Sequence, residues 1–149
     1  MLKLNLPDCN FRLKKNADDQ VLIFDNARKK WIINTPEEWV RQHWIHFFVN
    51  EMQVPISQIA SENGFKVVQR QKRSDLQIYK NGQIFLLLEC KRSTVPIDDS
   101  VLKQAINYNK TIQAPYIILS NGLHHFYFAV NIIEGKVSPI QKLPSYENW

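Results

Sequence analysis

Five consecutive apolar residues, Ile84 to Leu88, run straight into Glu89, Cys90 and Lys91. Side chains of a strand point alternately to opposite faces. A strand without polar alternation is therefore covered on both sides, as in the centre of a sheet. The run also sets an upper limit: no apolar stretch in the chain is longer than five residues, far short of the roughly 20 that span a bilayer. A membrane partner is not expected.

The flanking patterns supply the rest of such a sheet and its covering layers. FRLK, VLIFD and KWII within residues 11–34 read as short strands separated by polar turns. Thr35-Pro36-Glu37-Glu38 is a helix start: a hydroxyl cap, proline at the first helical position, and acids at the positive end of the helix dipole. The helix continues through Met52, with Val40, Trp44, Ile45, Phe47 and Phe48 as its apolar face. A second short helix is expected over Ile56–Glu62, stopped by Asn63-Gly64. FKVVQRQ, SDLQIYK and IFLLLEC follow as strands, the last two joined into a hairpin by Asn81-Gly82. Asp98 to Gln113 reads as a helix ended by Pro115, and PYIILS and HHFYFAV as strands around Asn121-Gly122. The tail from Ile132 reads as a short strand with an irregular end. The sum is one α/β domain, a mixed sheet with helices packed against it.

Composition matters chiefly through where the charge sits. The chain of 149 residues carries 19 Lys or Arg and 14 Asp or Glu. Residues 66–110 hold nine of those bases and four of the acids, so the whole net charge of +5 falls there. A basic stretch of this kind points to a polyanion, or else to a solvated strand edge and helix face. With only four glycines there is no GxxxxGK[ST] or GxGxxG phosphate loop, and hence no ATP motor in the sequence. Cys9 and Cys90 form neither a disulfide framework nor a CxxC pair. The N-terminus, MLKLNLPDCNFRLKK, lacks the apolar stretch of a signal peptide. The expected location is the cytoplasm.

Glu89 and Lys91, at i and i+2, share one face of their strand, and Cys90 points to the other. Unpaired charge at the end of a buried strand is costly, so both need partners. Asp75 stands 14 residues before Glu89 on the neighbouring strand. The hairpin brings the two side by side only if the strand bends or splays. Two carboxylates and a lysine on adjacent strands suit a Mg2+-dependent phosphodiesterase, in which a hard ion takes a few carboxylates and activates water while the lysine orients it. A cross-strand salt bridge accounts for the same residues equally simply.

Ser74-Asp75 followed by Glu89-Cys90-Lys91 resembles the PD-(D/E)xK nuclease signature, with serine in place of the leading proline. In order, TPEEWVRQHWIHFF, RSDLQIY, FLLLECK, Gln104 to Tyr108 and APYIILSNG resemble the N-terminal nuclease domain of type I restriction-enzyme R subunits, and more narrowly small stand-alone proteins of that kind. The likeness runs from about Phe24 to Val130. It implies a restriction-endonuclease-like sheet flanked by helices: an N-terminal β extension over 1–34, a nuclease core over 35–131 and a tail over 132–149. It also implies Asp75, Glu89 and Lys91 as catalytic residues, with a Mg2+ or Mn2+ ion held by Asp75, Glu89, the backbone carbonyl of Cys90, and Glu37 or Glu38. Gln104 and Tyr108 match a QxxxY element, and Lys72, Arg73 and Arg92 complete a set of DNA-contacting residues. The implied activity is metal-dependent DNA cleavage in restriction, defence or DNA processing. The implied partners are DNA, a second copy of the chain, and a separate motor, methylation or specificity subunit. The alternative is a catalytically silent nucleic-acid-binding or scaffold module of the same fold.

Other residues weigh less. Glu37 and Glu38 serve equally well as dipole caps, and Arg41 reads as an intramolecular partner of an acid. His124 and His125 face opposite ways on a strand and cannot share a metal without distortion, and His43 and His46, at i and i+3 of a helix, could, but nothing else suggests zinc; all four read as packing or solvent-exposed groups. Trp31, Trp39 and Trp44 read as core or interface residues rather than base-stacking platforms. Arg28-Lys29-Lys30 reads as a solvated turn that could grip phosphate.

Overall fold

The computed structural model describes residues 1–61 and 76–149. It is a mixed α+β protein with two sheets and two α-helices. A three-stranded antiparallel sheet is formed by β1 (Leu13–Lys15), β2 (Val21–Asp25) and β3 (Lys30–Ile33). Helix α1 (Pro36–His46) follows, with the Thr35 hydroxyl accepting from the Glu38 amide at 3.1 Å, as the TPEE start predicts. The larger sheet runs in the order β4 (Ile59–Ser61), β5 (Leu76–Lys80), β6 (Gln83–Cys90), β7 (Tyr116–Ser120), β8 (His125–Asn131), β9 (Lys136–Ile140). Helix α2 (Asp99–Ile112) connects β6 to β7, the one parallel pair among the described strands. A parallel pair needs such a long crossover, whereas the antiparallel pairs β1–β2, β2–β3, β5–β6, β7–β8 and β8–β9 are joined by short turns.

β6 lies inside the sheet, and Leu86, Leu87 and Leu88 have no solvent exposure. Leu86, Leu88 and Cys90 join Val40, Trp44, Ile45 and Phe48 of the α1 segment in one core cluster. Leu87 faces the other way, into a cluster with Val101 and Ala105 of α2 and with Ile117 and Leu119 of β7. The continuous apolar run is thus explained by two helices on opposite faces.

The Asn81-Gly82 hairpin forms as predicted, with both residues at positive φ. A register shift between Ile78 and Tyr79 then places Leu76 opposite Leu88 rather than opposite Leu87. Such a one-residue shift is a β-bulge or irregularity in the hairpin. Gly122 turns the chain between β7 and β8 at φ +85°, and a Cβ there would sit 2.8 Å from Leu4 Cδ2.

Two local expectations are corrected. The first helix does not stay α-helical to Met52: Phe47–Glu51 form a π-helical turn. The Met52 amide donates to the Phe47 carbonyl, five residues back, at 3.2 Å, while the rings of Phe47 and Phe48, three and four residues after Trp44, pack against it at 5.2 and 5.5 Å between centroids. Of the helix expected over Ile56–Glu62, the described part is not one: Ile56–Gln58 make a single 3-10 turn and Ile59–Ser61 become strand β4, and Glu62 lies outside the described residues. Pairing with β5, which sets Ile59 opposite Ile78 in the core, outweighs a weak local helix preference. The predicted strand FKVVQRQ lies outside the described residues.

Replacing Leu87 by alanine should cost about 2–5 kcal/mol of stability by opening a cavity under α2. Urea unfolding of the two proteins checks this.

Candidate functional site

The site predicted from sequence lies where β6 leaves the sheet. Glu89 is set by the alternation of the buried strand, one residue beyond Leu88, and points to the α2 side as Leu87 does. The Lys91 Nζ stands 3.5 Å from Glu89 Oε1, so both side chains share that face. The Lys91 and Glu89 side chains are 26% and 17% exposed, which makes them a half-buried ion pair at the rim of the core. Cys90 is fully buried on the α1 side.

The backbone of Lys91 is held by the next strand: its amide donates to the Ser120 carbonyl at 2.8 Å. Ser120 is itself clamped. Its hydroxyl accepts from Trp44 Nε1 at 2.8 Å and from the Gly122 amide at 3.0 Å, and lies 2.8 Å from His125 Nδ1. His125 Nε2 lies 2.8 Å from the Asn5 carbonyl, which can only accept. The ring therefore carries its proton on Nε2, and the serine hydroxyl donates to Nδ1. Burial holds the His125 pKa below its ordinary value, against the opposing pull of the Asn5 carbonyl. His125 is thus a structural residue that ties α1, β7, β8 and the N-terminal segment to the strand end carrying Lys91.

Helix α2 covers the same face of the sheet. Tyr108 is half-buried against the α2 cluster, and Gln104 is exposed one turn earlier. Arg92 turns toward the other layer. It lines a polar cleft of about 610 Å3 with Arg28, Lys30, Thr35, Glu37, Glu38 and Arg41. Asp75 precedes Leu76 by one residue in the chain and, with Lys72 and Arg73, lies outside the described residues.

The two helical glutamates separate in role. Glu37 borders the cleft. Glu38 is buried in a charged network. Its Oε1 accepts from Arg28 at 3.1 Å and from Gln42 at 2.8 Å, and its Oε2 accepts from Arg41. Arg41 is the intramolecular acid partner that the sequence indicates. Asp25, which sequence reasoning passed over, anchors the same network without any exposure. It accepts from the Ala27 and Arg28 amides at 2.8 and 2.9 Å, from Arg28 Nε at 2.6 Å and from Gln42 at 3.0 Å. An acid ending the apolar strand VLIFD, with an arginine three residues on, was the available signal. α1 packs on the face of β6 opposite Glu89, so the structure does not bring Glu38 to the Glu89–Lys91 pair.

Among the described residues no group of three or more His, Cys, Asp or Glu is arranged to hold a metal ion. No helix among them is long and apolar enough to cross a membrane.

Residues 36–144 match the family described as the type I restriction enzyme R protein N terminus (HSDR_N). No curated protein and no solved structure matches the chain.

Burial pushes the Asp25 carboxyl up, but the Arg28 amide, the Arg28 guanidinium and Gln42 outweigh it and leave the pKa below its ordinary value. A depressed native pKa stabilises the fold above the unfolded value of about 3.9, and that stability disappears as pH falls through the native value. Asp25→Asn should therefore lower Tm at pH 7, and the gap to the unaltered protein should narrow below about pH 4. Thermal melts from pH 7 to pH 3 measure it.

Proposed function

The chain belongs to the family of the type I restriction enzyme R protein N terminus, and on that premise we propose that it is a metal-dependent DNA endonuclease serving restriction. The observation that carries this reading is the pairing of Glu89 and Lys91 on one side of the strand end, at 3.5 Å. A solvated salt bridge needs no buried central strand to hold it. A reacting pair does, because its geometry has to survive the approach of substrate.

The donors in this proposal are hard oxygens, which suit Mg2+ or Mn2+: the Glu89 and Asp75 carboxylates, the Cys90 backbone carbonyl, and Glu37 or Glu38 as the helical acid. The Glu38 carboxylate is already taken up by Arg28, Arg41 and Gln42, which leaves Glu37, bordering the cleft that Arg92 also lines, as the candidate of the two. A divalent ion bound there would polarise the scissile phosphate and acidify a water. Lys91 would orient that water and offset the charge growing on phosphorus-bound oxygen. Glu89 keeps the ammonium aimed at the site. Arg92, Lys72 and Arg73 would attract phosphates, and Gln104 and Tyr108 would meet the DNA from α2. The family association points to DNA and further subunits as partners, a motor, methylation or specificity subunit among them. One such site cuts one strand, so cleavage of both strands calls for two copies.

Supercoiled plasmid incubated with Mg2+ or Mn2+ tests the reading. Nicking or linearisation should fall by about 100-fold or more in Lys91→Ala, Glu89→Ala and Asp75→Ala. An unchanged rate in Lys91→Ala would defeat the site assignment. DNA binding without cutting, across both metals and across duplex and single-stranded substrates, would make the chain a silent binding module.

A further inference from the structure

Resting on the reading of the chain as acting on DNA, we infer that the outward face of the N-terminal sheet binds an unpaired DNA strand. The pairing register sorts the side chains of β1–β3 into two sets. Ile23 and Ile32 stand opposite each other, and Ile23 and Asp25 are fully buried, Asp25 bonding to Gln42 of α1. The alternate residues stand on the other face: Lys14 opposite Leu22, Leu22 opposite Ile33, and Phe24 opposite Trp31. Arg12 joins them, its guanidinium 3.6 Å from the Phe24 ring centre.

This face has the composition of a stacking surface. Phe24 and Trp31 meet edge to face at 5.3 Å, and Lys14 Nζ lies 4.3 Å from the Trp31 ring centre. Both rings are half-buried and Ile33 is 50% exposed. None of the apolar residues on this face belongs to either core cluster of the described residues. Of the core or interface role that the sequence suggests for Trp31, neither core cluster of the described residues takes it up. No acidic residue stands on the face, and Arg12 and Lys14 are exposed.

Charge complementarity selects the occupant. Two cations held against aromatic rings favour a polyanion over an apolar protein surface. With Arg12 lying over Phe24 and Lys14 over Trp31, a base would stack on the guanidinium plane and on the Trp31 ring as Lys14 turns to a phosphate, and in a duplex the base faces are already stacked. The match is thus to a strand with free bases. Ile33 also lines the cleft that contains Lys30 and Arg92, so a bound strand has a basic route toward the end of β6. The face precedes residues 36–144, the part of the chain that matches the family.

The test is fluorescence anisotropy with the full chain in EDTA, which separates it from the nuclease reading because no cutting is required. The probe is a labelled oligothymidylate of about 16 nucleotides, compared with a duplex and an oligouridylate of equal length. The oligothymidylate should bind most tightly. Trp31→Ala should weaken it by about tenfold, while Trp31→Phe retains most of the affinity. The exposed pair Arg12→Ala with Lys14→Ala should reduce the slope of log affinity against log salt by about 1.4. The inference fails if the duplex or the oligouridylate binds more tightly, or if Trp31→Ala melts and binds like the unaltered protein. It also fails if Trp31→Ala only dissolves a dimer seen by sedimentation. Should Trp31→Ala fail to fold, an unchanged salt slope in the double variant overturns it.

Discussion

Everything in the larger sheet depends on covering both faces of β6. Three successive leucines are fully buried there, two against α1 and one against α2. Each removes apolar surface worth about 1.5–3 kcal/mol from water. A strand cannot bury both faces without two layers, so the two helices have to lie on opposite sides. The same constraint locates the charged pair. Glu89 and Lys91 stand where the strand reaches the rim of that double cover, the first place on it where charge can be solvated or paired.

The second constraint is ionic. Asp25 and Glu38 share Arg28 and Gln42, and Arg41 closes the set. Buried carboxylates are tolerated only when their oxygens are matched by donors. This network fastens the small sheet to the start of α1. It leaves the opposite face of that sheet, with Phe24 and Trp31, turned outward. It also takes up Glu38, so the acid that caps the helix in sequence terms has a structural partner set instead.

Much of the larger fold was readable from local patterns because those patterns are enforced locally. Thr35-Pro36 starts α1 by capping geometry, Asn81-Gly82 makes the hairpin by adopting positive φ, and Asp98 and Pro115 bracket α2. Where tertiary contacts compete with local preference, the pattern misled. Ile56–Glu62 looked helical, yet Ile59 gains more as a strand residue against Ile78. Phe47 to Glu51 looked like ordinary helix positions, yet the Met52 amide donates five residues back, to the Phe47 carbonyl, and widens the last turn.

The candidate site divides along the same line. Side-chain alternation in a strand is a covalent property, so the common face of Glu89 and Lys91 follows from their spacing alone. The need to bury Ile84–Leu88 follows from their composition. Which layer Glu89 faces, which helical glutamate is already engaged, and whether Trp31 packs inward or outward depend on how separate segments meet. Those outcomes are set by register, by the one-residue shift in β5–β6 pairing, and by a buried charge network spanning residues 25–42. No local run of residues encodes these, because each is a competition between distant groups for the same neighbours.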